Sequence, residues 1–489
     1  MNCISQTLSA EYGHIMLVSA NILFYIHEAL HERGMTMKAI YRKVTMHFVK
    51  NQNSSVIFID NNLLKHWEIQ EGDSLNLIAG CKKVTLTVRT LSGSSSTALI
   101  SENSAQILCL APFGFPVQMA YCPKGKTLSI GPYLAILTSS SSSGPEPFGE
   151  YGDFLREMAE YCKEHGYPFY AAKLQRITPG ETLEGYWFNG KWETSQFPLP
   201  DAVYNRIGSR KLERSALFQD FSDQLKKRRI PMFNGCFLSK WEVHELLRCN
   251  ADLLPNLPDC IPLKEEESFA SFLQKFSSVY VKPAFGSQGK NIIKLSKTEE
   301  GWVVEHSDGI KDTYLAEAEE LFRMLSKISR KTSYIAQKGI SLLEIDDKKV
   351  DFRVLMNKNK HGMWKVTSMV ARIGYAGHIV SNLSRGGEMK NGMEFLSSIF
   401  EQTEARRLCR ILKEIALKTA HTLSDSREDL FGELGIDLAL DTESHPWIIE
   451  VNSKPSKKFQ GNYEKFRPSV KSVIEYMNYL CTKGELHET

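Results

Sequence analysis

The sequence lacks the cysteine patterns of metal-binding and disulfide-rich proteins. Its ten cysteines are scattered over 489 residues, with no Cys-x-x-Cys pair and no cluster of cysteine and histidine. This distribution excludes a zinc ribbon or zinc finger. Scattered thiols in a chain of this size are typical of a reducing compartment.

An excess of charge of one sign is also missing. The chain has 60 basic and 57 acidic side chains and a net charge of +3, which gives no electrostatic reason to expect nucleic acid or an anionic membrane as a partner. The apolar stretch from Ile15 to Ile26 is shorter than the ~20 residues that span a bilayer. Residues 1–14 contain no Lys or Arg, which a signal peptide would need before its apolar segment.

The length predicts more than one domain. We expect an N-terminal extension (1–50), a small β domain (51–130), an α/β domain (131–232), a domain that carries the chemistry (233–480) and a tail (481–489). Met35 and Met37 precede strand-like sequence, so a further hypothesis is that translation of the native product starts there.

Two apolar strands near the C-terminus carry polar residues at interior positions. They are Gly435-Ile-Asp-Leu-Ala-Leu and Trp447-Ile-Ile-Glu-Val-Asn. Glu450 and Asn452 are two apart and face one side of their strand, and hairpin pairing would bring Asp437 beside them. Two carboxylates and an amide oxygen suit Mg²⁺ bound with nucleotide phosphates, with Mn²⁺ as an alternative ion. The competing interpretation is a hydrogen-bonded polar face without metal.

A glycine-containing loop joins two other predicted strands. Its residues are Gly286, Ser287, Gln288 and Gly289. Backbone amides there can approach an anion without obstruction, and Lys282, at the end of the first strand, would project toward the same phosphates. The loop joins two strands, so it is neither a P-loop nor a Rossmann turn, both of which open a helix. The alternative is an ordinary hairpin with an incidental lysine.

Two further patterns fit a nucleotide site. One strand end has the form of a hinge whose backbone reads an adenine edge, and its residues are Gln337, Lys338 and Ile340. Arg353 and Arg372 interrupt apolar strands and should face a polar cleft, where a guanidinium suits bidentate contact with phosphate or carboxylate. The alternative for either arginine is a salt bridge to a nearby acid such as Asp351.

Taken in chain order, these residues resemble the ATP-grasp superfamily over the C-terminal half of the sequence. More closely, residues from about 51 to 480 look like the YheC/YheD family of endospore coat-associated proteins. The phrases that carry this likeness are Gly131-Pro-Tyr-Leu-Ala-Ile-Leu, Pro200-Asp-Ala-Val-Tyr-Asn-Arg-Ile, Asn234-Gly-Cys-Phe-Leu-Ser-Lys-Trp-Glu-Val and Ser381-Asn-Leu-Ser-Arg-Gly-Gly.

The resemblance implies a mixed α/β (α+β) protein, with an ATP-grasp fold of two subdomains that hold ATP between them and with a preceding α/β domain. It implies phosphate-binding roles for Lys240 and Lys282 and a mobile lid at Gly286 to Lys290. The chain departs from many ligases in two places. Ser453-Lys-Pro-Ser stands where a glycine-rich tail is usual, so the substrate is not carried over, and Gln337-Lys338 replaces a frequent acidic residue at the hinge.

The function that the resemblance implies is an ATP- and Mg²⁺-dependent ligase that joins a carboxylate to an amine through an acyl phosphate. Arg353 and Arg372 would neutralise charge on the phosphoryl group. The expected setting is the mother-cell cytoplasm, with spore coat proteins as partners besides ATP and the two substrates. The alternatives are a non-catalytic nucleotide-binding component of the endospore coat and a small-molecule kinase.

Overall fold

The structure is a computed structural model that describes residues 40–50, 55–93, 96–139, 146–178, 180–286, 289–307, 311–314, 317–329, 332–374, 388–457 and 465–485. The chain divides into two compact units, Met1–Gly131 and Pro132–Thr489. Among the helices of these ranges, none combines the length and apolarity needed to cross a membrane.

The first unit is a closed β-barrel with strand order β1-β5-β2-β4-β3-β7-β6. Its elements are β1 (Ile40–Val49), β2 (Val56–Asp60), α1 (Asn61–Trp67), β3 (Ser74–Ala79), β4 (Lys82–Leu91), β5 (Thr97–Ser101), α2 (Glu102–Ile107), β6 (Val117–Cys122) and β7 (Thr127–Ile130). Buried Asp60 caps α1 by accepting from the amides of Asn62 and Leu63, and it also accepts from the amide of Thr97. The barrel includes β1, which precedes the predicted boundary at residue 51.

The second unit opens with a sheet of order β11-β10-β9-β8-β12-β13. Its elements are β8 (Leu134–Thr138), α3 (Gly152–His165), β9 (Phe169–Lys173), β10 (Thr182–Phe188), β11 (Trp192–Pro198), β12 (Ala202–Asn205), α4 (Arg210–Glu213), α5 (Ala216–Lys227) and β13 (Met232–Phe233). Four neighbouring strands, β9, β8, β12 and β13, pair in parallel. The hairpin of β10 and β11 continues the sheet in antiparallel fashion beside β9. Every residue of β8 is buried, as expected for a strand covered on both faces.

Two antiparallel sheets follow. The first has the order β14-β19-β15-β16-β17-β18 and the second β23-β22-β21-β24-β25, with β20 paired to β21. Their elements are α6 (Lys240–Leu247), β14 (Cys260–Pro262), α7 (Glu266–Lys275), β15 (Ser278–Pro283), β16 (Ile293–Thr298), β17 (Gly301–His306), β18 (Lys311–Tyr314), α8 (Ala318–Ser329), β19 (Tyr334–Lys338), β20 (Glu344–Ile345), β21 (Lys348–Lys358), β22 (Trp364–Ile373), β23 (Glu388–Asn391), α9 (Gly392–Ile399), α10 (Gln402–Asp425), β24 (Glu433–Leu440) and β25 (Pro446–Asn452).

The last helix, α11 (Pro468–Glu485), returns to the earlier parallel sheet. Its buried side chains, which include Val473 and Met477, share one core cluster with Leu134, Phe154 and Phe169. The end of the chain therefore packs on the α/β layer that precedes the two antiparallel sheets.

Glu433, the first residue of β24, is a buried carboxylate that ties these layers together. Tyr204 Oη donates to it at 2.5 Å and Asn357 Nδ2 at 3.2 Å. Arg206 Nη1 lies 3.4 Å from the same carboxylate, and Lys457 Nζ forms a second ion pair with it. A buried charge is costly unless it is paired and hydrogen-bonded. These contacts therefore fix β24 against β12 and against the segment that follows β25.

Gly435 lies between Glu433 and Asp437 on the same face of β24, because alternate residues of a strand share a face. A Cβ atom at Gly435 would lie 2.7 Å from Pro455 Cβ and 3.3 Å from Arg353 Cδ. The segment after β25 thus folds back over β24 at a position where only glycine leaves enough room.

We predict that Gly435→Ala lowers the free energy of unfolding by about 1–3 kcal/mol, since Pro455 must move to accept the methyl group. Gly180→Ala is the matched control: its Cβ would have nothing within 4 Å, so we expect no loss of stability. Urea denaturation measures both. Superimposable curves for Gly435→Ala and the unsubstituted protein would contradict the close approach of Pro455.

Candidate functional site

A β-bulge in the β24–β25 hairpin decides which way Glu450 faces. Near the turn Leu438 pairs with Ile448, but the register then shifts and Asp437 pairs with Glu450. Without the shift, Ile449 would oppose Asp437 and Glu450 would face the other side of the sheet. The bulge therefore places the two carboxylates opposite each other on one face.

The predicted metal ligands share this face. Asn452 lies two residues beyond Glu450 and pairs with Gly435, while Val451 between them is buried in the core. Asp437 is buried, and the side chain of Glu450 is 26% exposed.

The donor set is two carboxylates and one amide oxygen. In the described part of the chain no cluster of three or more His, Cys, Asp or Glu side chains could hold a metal ion, on this face or elsewhere, so a metal here would rest on two carboxylates and the Asn452 amide. Hard oxygen donors suit Mg²⁺ or Mn²⁺ that takes further oxygens from phosphates and water. The residues present therefore fit such an ion.

Both predicted arginines contact Asp437 on this face. Arg353 lies opposite Asp437 across the β21–β24 pair and donates through Nε and, at 2.8 Å, through Nη2. Arg372 lies opposite Asp351, with which its Nε forms an ion pair, and its Nη2 lies 3.0 Å from Asp437 Oδ2. The salt bridge to Asp351 that remained an alternative for Arg372 is thus present, together with a second one to Asp437.

Paired charges control the protonation of this cluster. Burial favours the neutral form of Asp437, but the guanidinium groups of Arg353 and Arg372 outweigh it and hold the pKa of Asp437 below its ordinary value. Burial likewise opposes the charge on Arg372, and the carboxylates of Asp351 and Asp437 outweigh it and raise the pKa of Arg372. Asp437 and Arg372 are therefore charged at neutral pH.

Lys240 connects this face, which we call the metal face after the ion predicted for Asp437, Glu450 and Asn452, to the glycine loop. It is the first residue of α6, whose N-terminus is held by a capping box of Ser239 and Glu242. Its Nζ lies 3.0 Å from Glu450 Oε1 and donates to the carbonyl oxygen of Gly286 at 3.1 Å. The structure thus brings Lys240 together with one predicted metal ligand and with the start of the predicted lid.

Lys282 and Gln337 meet on the neighbouring sheet. Lys282 Nζ donates to Gln337 Oε1 at 2.6 Å, across the β15–β19 pair. Burial, with a smaller effect of the charge of Lys240, lowers the pKa of Lys282 to about 8. Lys282 is therefore a cation whose charge is easily lost in the absence of an anion.

The remaining hinge candidates lie at and beyond the end of β19. Lys338 Nζ stands 5.5 Å from the ring centres of both Phe276 and Trp447. The Lys338 amide donates to the carbonyl of Asp259, so this amide is already engaged within the chain. Ile340 is half-buried just after the strand.

The glycine loop is described only in part. Gly289 has φ +64°, a conformation that favours glycine. At the start of the loop, the carbonyl oxygen of Gly286 accepts from Lys240 Nζ. Ser287 and Gln288 lie outside the described residues, as does the Ser381-Asn-Leu-Ser-Arg-Gly-Gly segment.

Sequence reasoning missed one charged residue near this face. Arg210 begins α4, shortly after the carboxyl end of β12, and it is attracted by the charge of Glu450. Its position after a parallel strand is a usable signal, because ligands bind outside the carboxyl ends of such strands.

Comparisons with known proteins give one family and two curated relatives. A family model described as YheC/D like ATP-grasp matches residues 229–480. Endospore coat-associated protein YheD of Bacillus subtilis (strain 168) is 29% identical over 436 residues, which cover 87% of this chain and 95% of the relative. Endospore coat-associated protein YheC of the same organism is 27% identical over 316 residues, 63% of this chain and 85% of the relative.

Among solved structures, the crystal structure of D-cycloserine synthetase DcsG aligns with a TM-score of 0.44 and 12% identity. The alignment covers 72% of this chain and 99% of that one.

We predict that Asp437→Asn lowers the free energy of unfolding by about 3–5 kcal/mol, because it removes the buried carboxylate that pairs with both Arg353 and Arg372 and leaves Arg372 with Asp351 alone. Glu450→Gln removes a more exposed carboxylate with a single lysine partner, so its loss should stay near 1 kcal/mol or below. Urea denaturation at neutral pH gives both values. Equal losses would show that Asp437 is not the charge on which this cluster depends.

Proposed function

The chain belongs to the YheC/D-like ATP-grasp family, and from that premise we propose that it binds Mg²⁺ and ATP and joins a carboxylate to an amine. The observation that carries this proposal is the register pair of Asp437 and Glu450, with Asn452 beside them and Lys240 on Glu450. Two carboxylates directly opposite each other on one strand pair repel unless cations lie beside them, and a divalent ion is such a cation.

In the proposed reaction the γ-phosphoryl group of ATP passes to a substrate carboxylate, and an amine then displaces phosphate from the acyl phosphate. Asp437, Glu450 and Asn452 would hold Mg²⁺, which when bound neutralises charge on the nucleotide phosphates. Lys240 and Lys282 would bind phosphate oxygens. The hinge at Gln337, Lys338 and Ile340 would hold the adenine.

Arg353 and Arg372 are the proposed catalytic residues. Each guanidinium uses Nε and Nη2 on carboxylates, which leaves Nη1 outside these contacts. Their side chains are 19% and 15% exposed. A fixed guanidinium with one remaining edge can stabilise charge on a phosphoryl group in flight without reorganising at that moment.

The setting of the reaction is inferred from the relatives. Both are called endospore coat-associated proteins, which supports a role in the mother cell in association with the spore coat. The second candidate function is a nucleotide-binding coat component without catalysis. The mutual neutralisation of Asp351 and Asp437 by Arg353 and Arg372 favours it, because these two acids and two arginines balance in charge without a ligand.

The first test is ADP release from Mg·ATP in the presence of amino acids, short peptides and simple carboxylic acids. We expect Glu450→Gln and Asn452→Ala each to lower turnover about 100-fold or more, since the first replaces a charged oxygen ligand of the metal with a neutral one and the second removes an oxygen ligand. Glu443→Gln is the matched control, because Glu443 is an exposed carboxylate in the turn of the same hairpin.

The outcomes separate the candidate functions. Magnesium-dependent binding of a fluorescent ATP analogue without product from any acid and amine pair favours the coat component. Phosphorylated product without need of an amine indicates a kinase. No magnesium-dependent nucleotide binding at all would contradict both the ligase and the coat component.

A second prediction concerns pH. Lys282 binds phosphate only in its charged form, which is lost as pH rises through about 8. Affinity for Mg·AMP-PNP should therefore fall above that pH, by at most about tenfold per pH unit for one proton. Lys282→Arg keeps its charge over this range, so its affinity should not change with pH, and Lys282→Met should bind weakly throughout. Titrations between neutral pH and pH 9.5 measure this. A similar decline in Lys282→Arg would exclude Lys282 as its origin.

A further inference from the structure

Arg210 is a half-buried guanidinium without a carboxylate partner in the ranges that the structure describes. Its Cζ stands 5.0 Å from the ring centre of Phe237 and 5.3 Å from that of Phe285. Its Nε is buried and has no hydrogen-bond partner there. Arg206, Arg353 and Arg372, by contrast, each contact a carboxylate. A guanidinium between aromatic rings with unused donors can bind an anion.

The contacts of Phe285 place Arg210 beside the proposed phosphate site. Phe285 immediately precedes Gly286, whose carbonyl accepts from Lys240 Nζ, and the same Nζ contacts Glu450. Burial lowers the pKa of Arg210, and the negative charge of Glu450 acts against that effect. Arg210 therefore lies at the edge of the metal face, on the side of the glycine loop.

The short helix α4, which begins at Arg210, is held in place by Glu213 at its opposite end. Glu213 accepts from Asn205 Nδ2 at 2.9 Å and forms a buried ion pair with Lys454. Lys454 follows Asn452 by two residues and also donates to the carbonyl of Ile207 at 3.1 Å. These contacts hold α4 against the segment that follows β25. The position of Arg210 relative to β25 is therefore fixed by side-chain contacts as well as by the connecting chain.

We propose that Arg210 binds the carboxylate group of the acid substrate. This inference rests on the ligase function proposed above. The nucleotide phosphates already have Lys240, Lys282 and the two catalytic arginines as counter-charges. The Arg210 guanidinium lies beside the rings of Phe237 and Phe285 and has no carboxylate partner among the described residues. Its planar fork suits a planar bidentate partner such as a carboxylate. The preceding α/β domain would thus supply the residue that selects an acid.

The test measures binding of acetate and succinate to the full chain by saturation-transfer NMR, with Mg·AMP-PNP affinity measured separately. We expect Arg210→Gln to weaken acetate binding about tenfold or more, because this variant loses a charge-assisted bidentate contact. Arg214→Gln is the matched control: Arg214 is exposed and stands over the same Phe285 ring at 5.2 Å, so it should bind acetate normally. Arg210→Lys keeps the charge and the stacking but loses the planar fork, so it should also weaken binding.

Four results would overturn the inference. They are no acetate binding to the unsubstituted protein, equal binding to Arg210→Gln, an equal loss in Arg214→Gln, and displacement of acetate by Mg·AMP-PNP, which would assign Arg210 to the nucleotide phosphates. Unaltered Mg·AMP-PNP affinity in Arg210→Gln shows that the variant is folded. Failure of the unsubstituted protein to bind Mg·AMP-PNP would instead remove the proposed function, whatever acetate does.

Discussion

The buried carboxylate of Glu433 is the constraint on which the second unit depends. Its partners come from three separate parts of the chain: Tyr204 and Arg206, Asn357, and Lys457. Burial alone would raise the pKa of Glu433, but the charges of Lys457 and Arg206 outweigh it and lower that pKa. Loss of Arg206 or Lys457 would leave part of this buried charge uncompensated, and loss of Tyr204 or Asn357 would leave one of its hydrogen bonds unmade.

The network around Glu433 also determines the position of the metal face. Glu433, Gly435 and Asp437 alternate along one face of β24, so whatever fixes Glu433 also fixes Asp437, four residues further along the strand. Asp437 in turn forms ion pairs with the guanidinium groups of Arg353 and Arg372. The proposed nucleotide complex would therefore exchange charged partners and would not bring new charge into an uncharged cavity, which would keep the reorganisation energy of binding low.

The sequence alone was sufficient for the features that depend on local periodicity. The match of the family model confirms the ATP-grasp fold that the order of motifs indicated. The common face of Glu450 and Asn452 follows from their spacing. The shift that turns Glu450 toward Asp437 does not, because the adjacent Ile448 and Ile449 are equally apolar and either could have faced the core. The pairing of Arg372 with Asp351 could be stated only as an alternative, since strand register decides it.

What the sequence could not provide is contact between residues far apart in the chain. Lys454 and Glu213 are separated by most of the two antiparallel sheets, yet they form one buried pair. The Ser453-Lys-Pro-Ser segment is held by two contacts: Lys454 pairs with Glu213 of the α/β layer, and Pro455 lies close to Gly435. Glu213 belongs to the same short helix that carries Arg210. Glu213 at one end of that helix pairs with Lys454, whereas Arg210 at the other end lies beside two phenyl rings and pairs with no carboxylate of the described residues. Any substrate bound there would meet two layers of the protein whose relative position Glu433 already fixes.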